Sequence, residues 1–246
     1  MHDTPERDAP RPTTAQRREK AENPWLSLGV NIVIPALILM KLSGEDRLGP
    51  VVGLLTALAF PLTYGIVDGL RRRRFNFISA LGVVSILLTG GIGLLQLDTK
   101  WIAIKEAAVP GVIGLVVLLS MRSRYPIVRS LLYNDKIIDV PTVEAALERH
   151  GNRTHFDRRL DRASLLLAGS FFLSAVLNFV LARVIVKSPA GTVAFNEELG
   201  RMTALSYPVI ALPSMAVMFL ALWYLFHSIS RLTHLEFEQI FHPRPR

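Results

Sequence analysis

Residues 163–186 read ASLLLAGSFFLSAVLNFVLARVIV, a run of 24 residues with one charged side chain, Arg183, near its end. At about 1.5 Å per residue, a helix of this length crosses a hydrocarbon core of about 30 Å. Five more apolar runs are comparable, with lengths of 18 to 25 residues: 25–42, 48–67, 75–97, 101–121 and 202–226. The sequence therefore predicts an all-α transmembrane helix bundle with six spans.

Lysine and arginine are distributed unevenly between the two sets of connecting segments. Of the 28 lysine and arginine residues, 21 lie in one set, and seven lie in the other set or in the spans. The richer set consists of 1–24, 68–74, 122–162 and 227–246. Because basic residues are enriched in cytoplasmic loops, the pattern predicts a multi-pass plasma-membrane protein with both termini in the cytoplasm.

The spans leave room for few other parts in 246 residues. We expect a disordered basic tail over 1–24, because a charged segment with almost no apolar content cannot bury enough surface to fold. Spans one to four follow over 25–121, and spans five and six over 163–226. Between them lies a cytoplasmic segment, 122–162, and a second cytoplasmic tail covers 227–246.

Composition excludes several kinds of chemistry. The net charge of +8 lies beside the spans, so we expect it to contact anionic lipid headgroups and no nucleic acid. The chain has no cysteine, which excludes disulfides and thiol nucleophiles. His227, His234 and His242 lack companion ligands at metal-binding spacing, so the sequence predicts neither a metal site nor a cofactor.

The cytoplasmic segment 122–162 contains two short apolar stripes. Their members lie at helical spacing: Ile127, Val128, Leu131 and Leu132 in the first, and Val143, Ala146, Leu147 and His150 in the second. We expect amphipathic helices that lie on the inner leaflet, with arginines toward the headgroups. The alternative is a surface that recruits a cytoplasmic partner.

Two ionisable residues, Lys105 and Glu106, interrupt the fourth span. A charge inside a span costs about 2.5–3.5 kcal/mol, so such a residue is a candidate for function. One hypothesis is that Lys105 reaches back toward Asp98, roughly 10 Å away along the helix. The other is a polar site between helices, built from Lys105, Glu106, Asn178 and Asn31. Because successive residues point about 100° apart, we expect the Lys105 and Glu106 side chains to diverge.

Glycine and proline residues inside the spans are candidate packing or bend positions. Glycines let helix backbones approach closely, and prolines remove a backbone hydrogen bond. The candidates are Gly65, Gly69, Gly90, Gly91, Pro61, Pro110, Pro208 and Pro213.

The central half of the chain, over 64–186, resembles a known family. The matching features, in order, are Tyr64, the basic turn Arg71-Arg72-Arg73-Arg74, Gly90-Gly91, Asp98, Trp101-Ile102-Ala103-Ile104-Lys105, Pro126 and Asn178. Their order and spacing are similar to those of intracellular septation protein A, a family of small bacterial inner-membrane proteins. The resemblance implies a role in cell division and envelope synthesis, without an established enzymatic activity. A longer N-terminal tail, a longer 122–162 segment and Glu106 depart from the family pattern.

Three classes of function follow from these features. The first is a non-enzymatic protein of the cell envelope, whose partners would be envelope or division proteins. The second is a small six-span transporter of an unidentified solute, which we would expect to work as a homodimer. The third is a lipid-acting enzyme, which the sequence disfavours because it shows no nucleophile–base pair, metal constellation or acidic magnesium motif. The sequence favours the first class.

Overall fold

The computed structural model describes residues 29–72, 77–123, 127–133 and 138–241. Every regular element in these ranges is a helix. In chain order the helices are α1 (Gly29–Lys41), α2 (Gly49–Arg72), α3 (Phe77–Leu94), α4 (Lys100–Ser120), α5 (Ile127–Leu132), α6 (Val140–Arg149), α7 (Arg153–Ile185), α8 (Val193–Thr233) and α9 (Phe237–Phe241). The predicted N-terminal tail lies outside the described residues.

Four helices are long and apolar enough to cross a membrane: Gly49–Val67, Lys100–Ser120, Arg153–Ile185 and Val193–Thr233. Only 17 to 22% of the most apolar window of each helix is buried, so most of this apolar surface needs lipid to cover it. The prediction of an all-α polytopic membrane protein is confirmed to this extent. Two further apolar helices, Gly29–Lys41 and Gly82–Leu94, are shorter over their described parts, and the six-span topology stays a prediction.

The long helices pack side by side in antiparallel pairs. Gly114 of α4 lies against Phe171 of α7, and Gly111 lies against Ala175, so residue numbers rise along one helix as they fall along the other. This pair has the most extensive contact in the bundle, followed by α7 with α8. The helix α1 packs on α2 and on the first half of α8. Helix α7 is therefore the central element of the fold.

Three turns meet at one end of the bundle. The side-chain amide of Asn196, near the start of α8, donates to Pro50 O at 2.7 Å and to Ser43 Oγ at 3.1 Å. The side chain of Gln96, in the turn after α3, packs over Gly191 in the turn before α8. The charge pattern assigns these same three turns to one side of the membrane.

The opposite end contains a second buried core, which we call the end module. It consists of α5, α6 and α9 with the first part of α7 and the last part of α8. Val143, Leu147 and Phe156 are each 0% exposed, and they cluster with Leu225 and Ile240. The prediction that the apolar stripes of 122–162 lie on lipid is therefore wrong for Val128 of the first stripe and for Val143, Ala146 and Leu147 of the second, which are buried. These residues pack on protein because α7 and α8 extend past their apolar runs and supply a matching surface. The side chains of Leu131 and Leu132 lie outside the described part of the chain.

Polar contacts join the end module to the long helices. The amide of Asn152 donates to Leu232 O of α8 at 2.8 Å. Within the module, the backbone N–H of Asp139 donates to Ile240 O of α9 at 2.9 Å. Arg153 pairs with Glu144 of α6 and with Asp157 of its own helix. The module is thus continuous with the bundle.

Of the three predicted packing glycines whose surroundings the structure describes, only Gly90 lies in tight contact. A methyl group on Gly90 would lie 3.1 Å from Leu58 Cδ1, whereas one on Gly65 would meet its nearest neighbour at 3.9 Å. A methyl group on Gly91 would meet nothing within 4 Å, so Gly91 is not a packing position. The surroundings of Gly69 lie outside the described residues.

Among the described glycines, Gly200 of α8 comes nearest to the backbone of another helix, although its sequence position did not predict this. A Cβ atom there would lie 2.8 Å from the backbone oxygen of Ala36 and 2.7 Å from Met40 Cγ. This is where α8 crosses α1. Because a backbone oxygen cannot move aside as a side chain can, glycine is needed at this position.

The prolines are accommodated within helices. Helix α2 continues through Pro61, and α4 continues through Pro110. Helix α8 contains a π-helical turn, Tyr207–Ala211, that includes Pro208, and Pro213 lies in the first turn of the α-helix that follows. The predicted irregularity of the last span therefore takes the form of a π-helical turn in a continuous helix.

Candidate intramembrane polar site

Lys105 lies on α4 and is 9% exposed. It is the only buried charged residue among those whose side chains the structure describes. Its Nζ lies 2.6 Å from Glu106 Oε1 and donates to Ser85 Oγ of α3 at 3.2 Å. The ammonium group is therefore held at the α3–α4 contact, with its charge neutralised by the next residue.

The expected divergence of Lys105 and Glu106 is wrong. Lysine carries a flexible four-carbon stem, which lets its ammonium group bend around the helix surface to the neighbouring carboxylate. The Glu106 side chain is 28% exposed, so the pair lies at the edge of the packed interior. An ion pair in a low-dielectric surrounding is held more tightly than one in water, provided that both partners are present.

Asp98 does not receive Lys105. It lies in the turn before α4, where its carboxylate accepts the backbone N–H of Lys100 at 2.8 Å and lies 3.4 Å from the Lys100 ammonium. The backbone hydrogen bond and the nearby Lys100 charge lower the pKa of Asp98. The hypothesis that Lys105 reaches back to Asp98 is therefore wrong, because Lys100 is closer and Lys105 has another partner.

The two asparagines of the predicted site lie on other helices. Asn178 lies on α7, and its amide donates to the backbone oxygen of Ser174 at 2.8 Å and to Ser174 Oγ at 3.3 Å. Asn31 lies half-buried in the π-helical turn Gly29–Val33 of α1. In the part of the chain that the structure describes, α1 packs on α2 and α8 and not on α4. The structure thus unites Lys105 with Glu106 and places Asn31 apart from them.

Ser85 completes the polar group and was missed by the sequence analysis. Residues 85 and 105 lie ten positions on either side of Leu95, in the turn that joins α3 to α4. An antiparallel helix pair places two such positions at the same depth. A search for polar residues equidistant from the turn would have found Ser85.

The chemistry available at this site is limited. The Lys105–Glu106 pair carries no net charge, and Ser85 Oγ accepts one hydrogen bond from the Lys105 ammonium group. Several other span hydroxyls donate to their own helices, as Thr89 Oγ1 does to Ser85 O at 3.0 Å. The structure brings no group of three or more His, Cys, Asp or Glu together as a metal site within the described residues. Within the described residues, the site joins α3 to α4 through one ion pair and one hydroxyl group.

No protein-family model, curated protein or solved structure matches the chain significantly. The fold and the polar group together define a polytopic helical membrane protein with an ion pair between two of its helices.

Proposed function

We propose that this chain is a non-enzymatic structural or interaction protein of the bacterial inner membrane, acting in cell-envelope synthesis or division. The observation that carries this proposal is the state of Lys105, whose charge is neutralised by Glu106 at 2.6 Å. A transporter needs a water-accessible path to a site near the midplane. A scaffold needs only that its buried charge be paired.

The end module supports an interaction role. It forms a folded surface at the arginine-rich end of the bundle, where exposed charged residues such as Glu148, Arg149 and Arg158 lie over a closed apolar core. A rigid polar surface fits a protein partner better than a mobile loop does, because less conformational entropy is lost on binding. The similarity of 64–186 to septation protein A favours envelope or division proteins as the partners.

Six spans with both termini in the cytoplasm belong to the same proposal. The charge distribution favours this topology, since the turns that carry few basic residues gather around Asn196 at one end. The end module then lies in the cytoplasm, where cytoplasmic division proteins are accessible.

A small transporter is the second candidate. It is favoured by an ionisable pair inside a span and by the π-helical turn Tyr207–Ala211, because single π-helical turns occur frequently at functional sites. In that case the protomer would act as a homodimer, and the Lys105–Glu106 pair would have to separate during the transport cycle.

Depletion and complementation separate the two candidates. We expect cells depleted of the protein to divide abnormally, and the double variant Lys105→Leu/Glu106→Leu to restore division, because it removes both charges without leaving one unpaired. If the protein is a transporter that uses the pair, this variant should fail to complement the depletion even when it is as abundant as the wild-type protein. Normal division on depletion would contradict the envelope role.

Site-specific cross-linking identifies the partner surface. A photoreactive residue at Glu148 or Arg149 should capture an envelope or division protein in intact cells. The matched control is Asp46, an exposed position at the other end of the bundle. Equal capture of the same proteins from both ends would count against a specific surface on the end module.

A further inference from the structure

Two arginines of α7 converge on one tyrosine of α8 at the edge of the end module. Arg159 Nη1 donates to the Tyr224 hydroxyl oxygen at 2.9 Å, and its guanidinium carbon lies 5.6 Å from the centre of the Tyr224 ring. Arg162, three residues further along the same helix, also lies close to that hydroxyl group. Residues three apart on a helix share a face, so both guanidinium groups point to the same place.

The positive charge of this pair is not neutralised within the described part of the chain. No carboxylate there lies within ion-pair distance of Arg159 or Arg162, and the phenol that Arg159 contacts is a neutral group. Arg153, two turns away on the same helix, is by contrast paired with Glu144 and Asp157. Two guanidinium groups held together without a carboxylate form a fork of donors that matches a phosphate group.

The depth of the pair matches the headgroup layer. Arg162 is the last charged residue before the apolar run 163–186, and Tyr224 lies two residues before the end of the run 202–226. Trp223 is 61% exposed, as expected for an indole at the membrane–water interface. The guanidinium groups therefore lie where lipid phosphates lie, whichever side of the membrane this end occupies.

An apolar surface continues from the pair along the spans. Leu166 follows Arg162 by one turn of α7, and Leu220 precedes Tyr224 by one turn of α8. Both leucines are exposed. A molecule bound at the arginines would thus meet apolar side chains on the side toward the bilayer centre.

We propose that Arg159, Arg162 and Tyr224 form a binding site for one anionic phospholipid. The two arginines bind the headgroup phosphate, and the acyl chains pack along Leu166 and Leu220. The apolar continuation selects a lipid over free phosphate, since a soluble anion would gain nothing from the two leucines. The site is independent of the proposed division role and goes beyond it.

Quenching of Trp223 fluorescence tests this site in the full-length chain. Replacement of Trp25 and Trp101 by phenylalanine leaves Trp223 as the only indole. The protein is reconstituted in vesicles that contain equal fractions of phosphatidylglycerol and phosphatidylcholine, with bromine on the acyl chains of one or the other lipid. We expect brominated phosphatidylglycerol to quench Trp223 more strongly. Equal quenching by the two lipids would overturn the proposal.

Charge-matched variants separate a site from general attraction to a negative surface. Arg159→Gln/Arg162→Gln should lower the preference for phosphatidylglycerol by about fivefold for each arginine, from about 1 kcal/mol for each basic residue near the surface. Arg158→Gln/Arg231→Gln removes the same charge from exposed positions and should largely keep the preference. Equal loss in both double variants would overturn the proposed site.

Two further measurements test whether a loss of preference comes from misfolding, and whether the bound phosphate belongs to a lipid or to a free anion. Arg159→Lys/Arg162→Lys keeps the charge but loses the two-pronged donor geometry, so a correctly folded variant should show an intermediate preference. An unchanged preference in this variant would contradict the phosphate fork. Inorganic phosphate, compared with chloride at equal ionic strength, should leave the preference intact. If inorganic phosphate abolished the preference for phosphatidylglycerol, the site would be one for a soluble anion, and the lipid assignment would be overturned.

Discussion

The Lys105 ammonium and the Glu106 carboxylate lie 2.6 Å apart, although the two residues are adjacent on one helix. The pair is asymmetric, because the Lys105 side chain is 8% exposed and that of Glu106 is 28% exposed. We therefore expect Glu106→Leu to be the more harmful single change, since it leaves the more deeply buried charge unpaired. Its cost should approach the roughly 3–5 kcal/mol found when a buried pair is broken. Unfolding in detergent by a denaturing surfactant measures the difference.

The double variant is the control for this prediction. Lys105→Leu/Glu106→Leu should be close to the wild type in stability or above it, because no unpaired charge remains. Wild-type stability and full complementation in Lys105→Leu would instead discard a polar site at this position, and with it most of the case for transport.

The end module should depend on its apolar core. Leu147 is fully buried against α7 and α8, so Leu147→Ala should destabilise the protein by about 2–5 kcal/mol through lost contacts and a cavity. Leu165→Ala is the matched control, because Leu165 is 55% exposed on α7 and should change stability by no more than about 0.5 kcal/mol. Chemical denaturation in detergent compares the two. Equal effects would mean that α6 does not pack on the spans.

The crossing of α1 and α8 gives a second matched pair. Gly200→Ala places a methyl group 2.8 Å from the backbone oxygen of Ala36, so it should destabilise the protein by about 1–3 kcal/mol. Gly91→Ala adds the same methyl group in open space within α3 and should stabilise the helix by about 0.5–1 kcal/mol. Thermal unfolding of both variants checks the sign of each change. A neutral Gly200→Ala would contradict the close approach of the two helices.

Tyr133 should make stability depend on pH in the alkaline range. Burial raises the pKa of its phenol to about 12 from the ordinary 10.0, although the charges of Arg153 and Arg129 act in the opposite direction. The folded state therefore favours the neutral phenol. Its contribution to stability is complete below pH 10.0 and is lost as pH rises toward 12.

The variant Tyr133→Phe isolates this effect. It should flatten the loss of stability above pH 10.0 and cost little at neutral pH, because no described residue hydrogen-bonds the Tyr133 hydroxyl. Unfolding midpoints measured across the alkaline range compare it with the wild type. An unchanged alkaline slope would place the titrating group elsewhere.

The proposed topology is open to a direct test. A reporter fused after Arg246 should report the cytoplasm, and one inserted between Ser43 and Pro50 should report the opposite side, because basic segments stay inside. A C-terminal reporter found outside would contradict the six-span arrangement.

Length and hydropathy alone predicted the helical membrane class, because a run such as 163–186 satisfies a strong physical constraint. They could not predict where the stripe of Val143 and Leu147 would pack. An amphipathic helix needs an apolar surface, and the sequence does not say whether lipid or protein supplies it. Here the extra turns of α7 and α8 supply it, and the charged residues in those turns concealed their inward-facing members Phe156 and Leu160.

The sequence predicted only part of the polar site, because the partner that a side chain contacts depends on the folded structure. Lys105 and Glu106 stood out because charges are rare within spans. Their pairing depends on the rotamers of the long lysine side chain. Helical geometry predicts only the direction in which each Cβ atom leaves the helix, so it could not predict this contact. Gly200 was missed because it lies before the apolar run 202–226, whereas helix α8 begins at Val193.

The composition of the end module sets an order of events during biosynthesis. Its apolar stripes leave the ribosome before the 64 residues of 163–226, yet Ile229 and Ile240, which cover them, come last. Nascent chains therefore carry an exposed apolar surface until residues 229–240 have been synthesised. A ribosome that stops before Phe237 releases a chain with this surface still uncovered, and chaperones or proteases that bind apolar segments can recognise such a product.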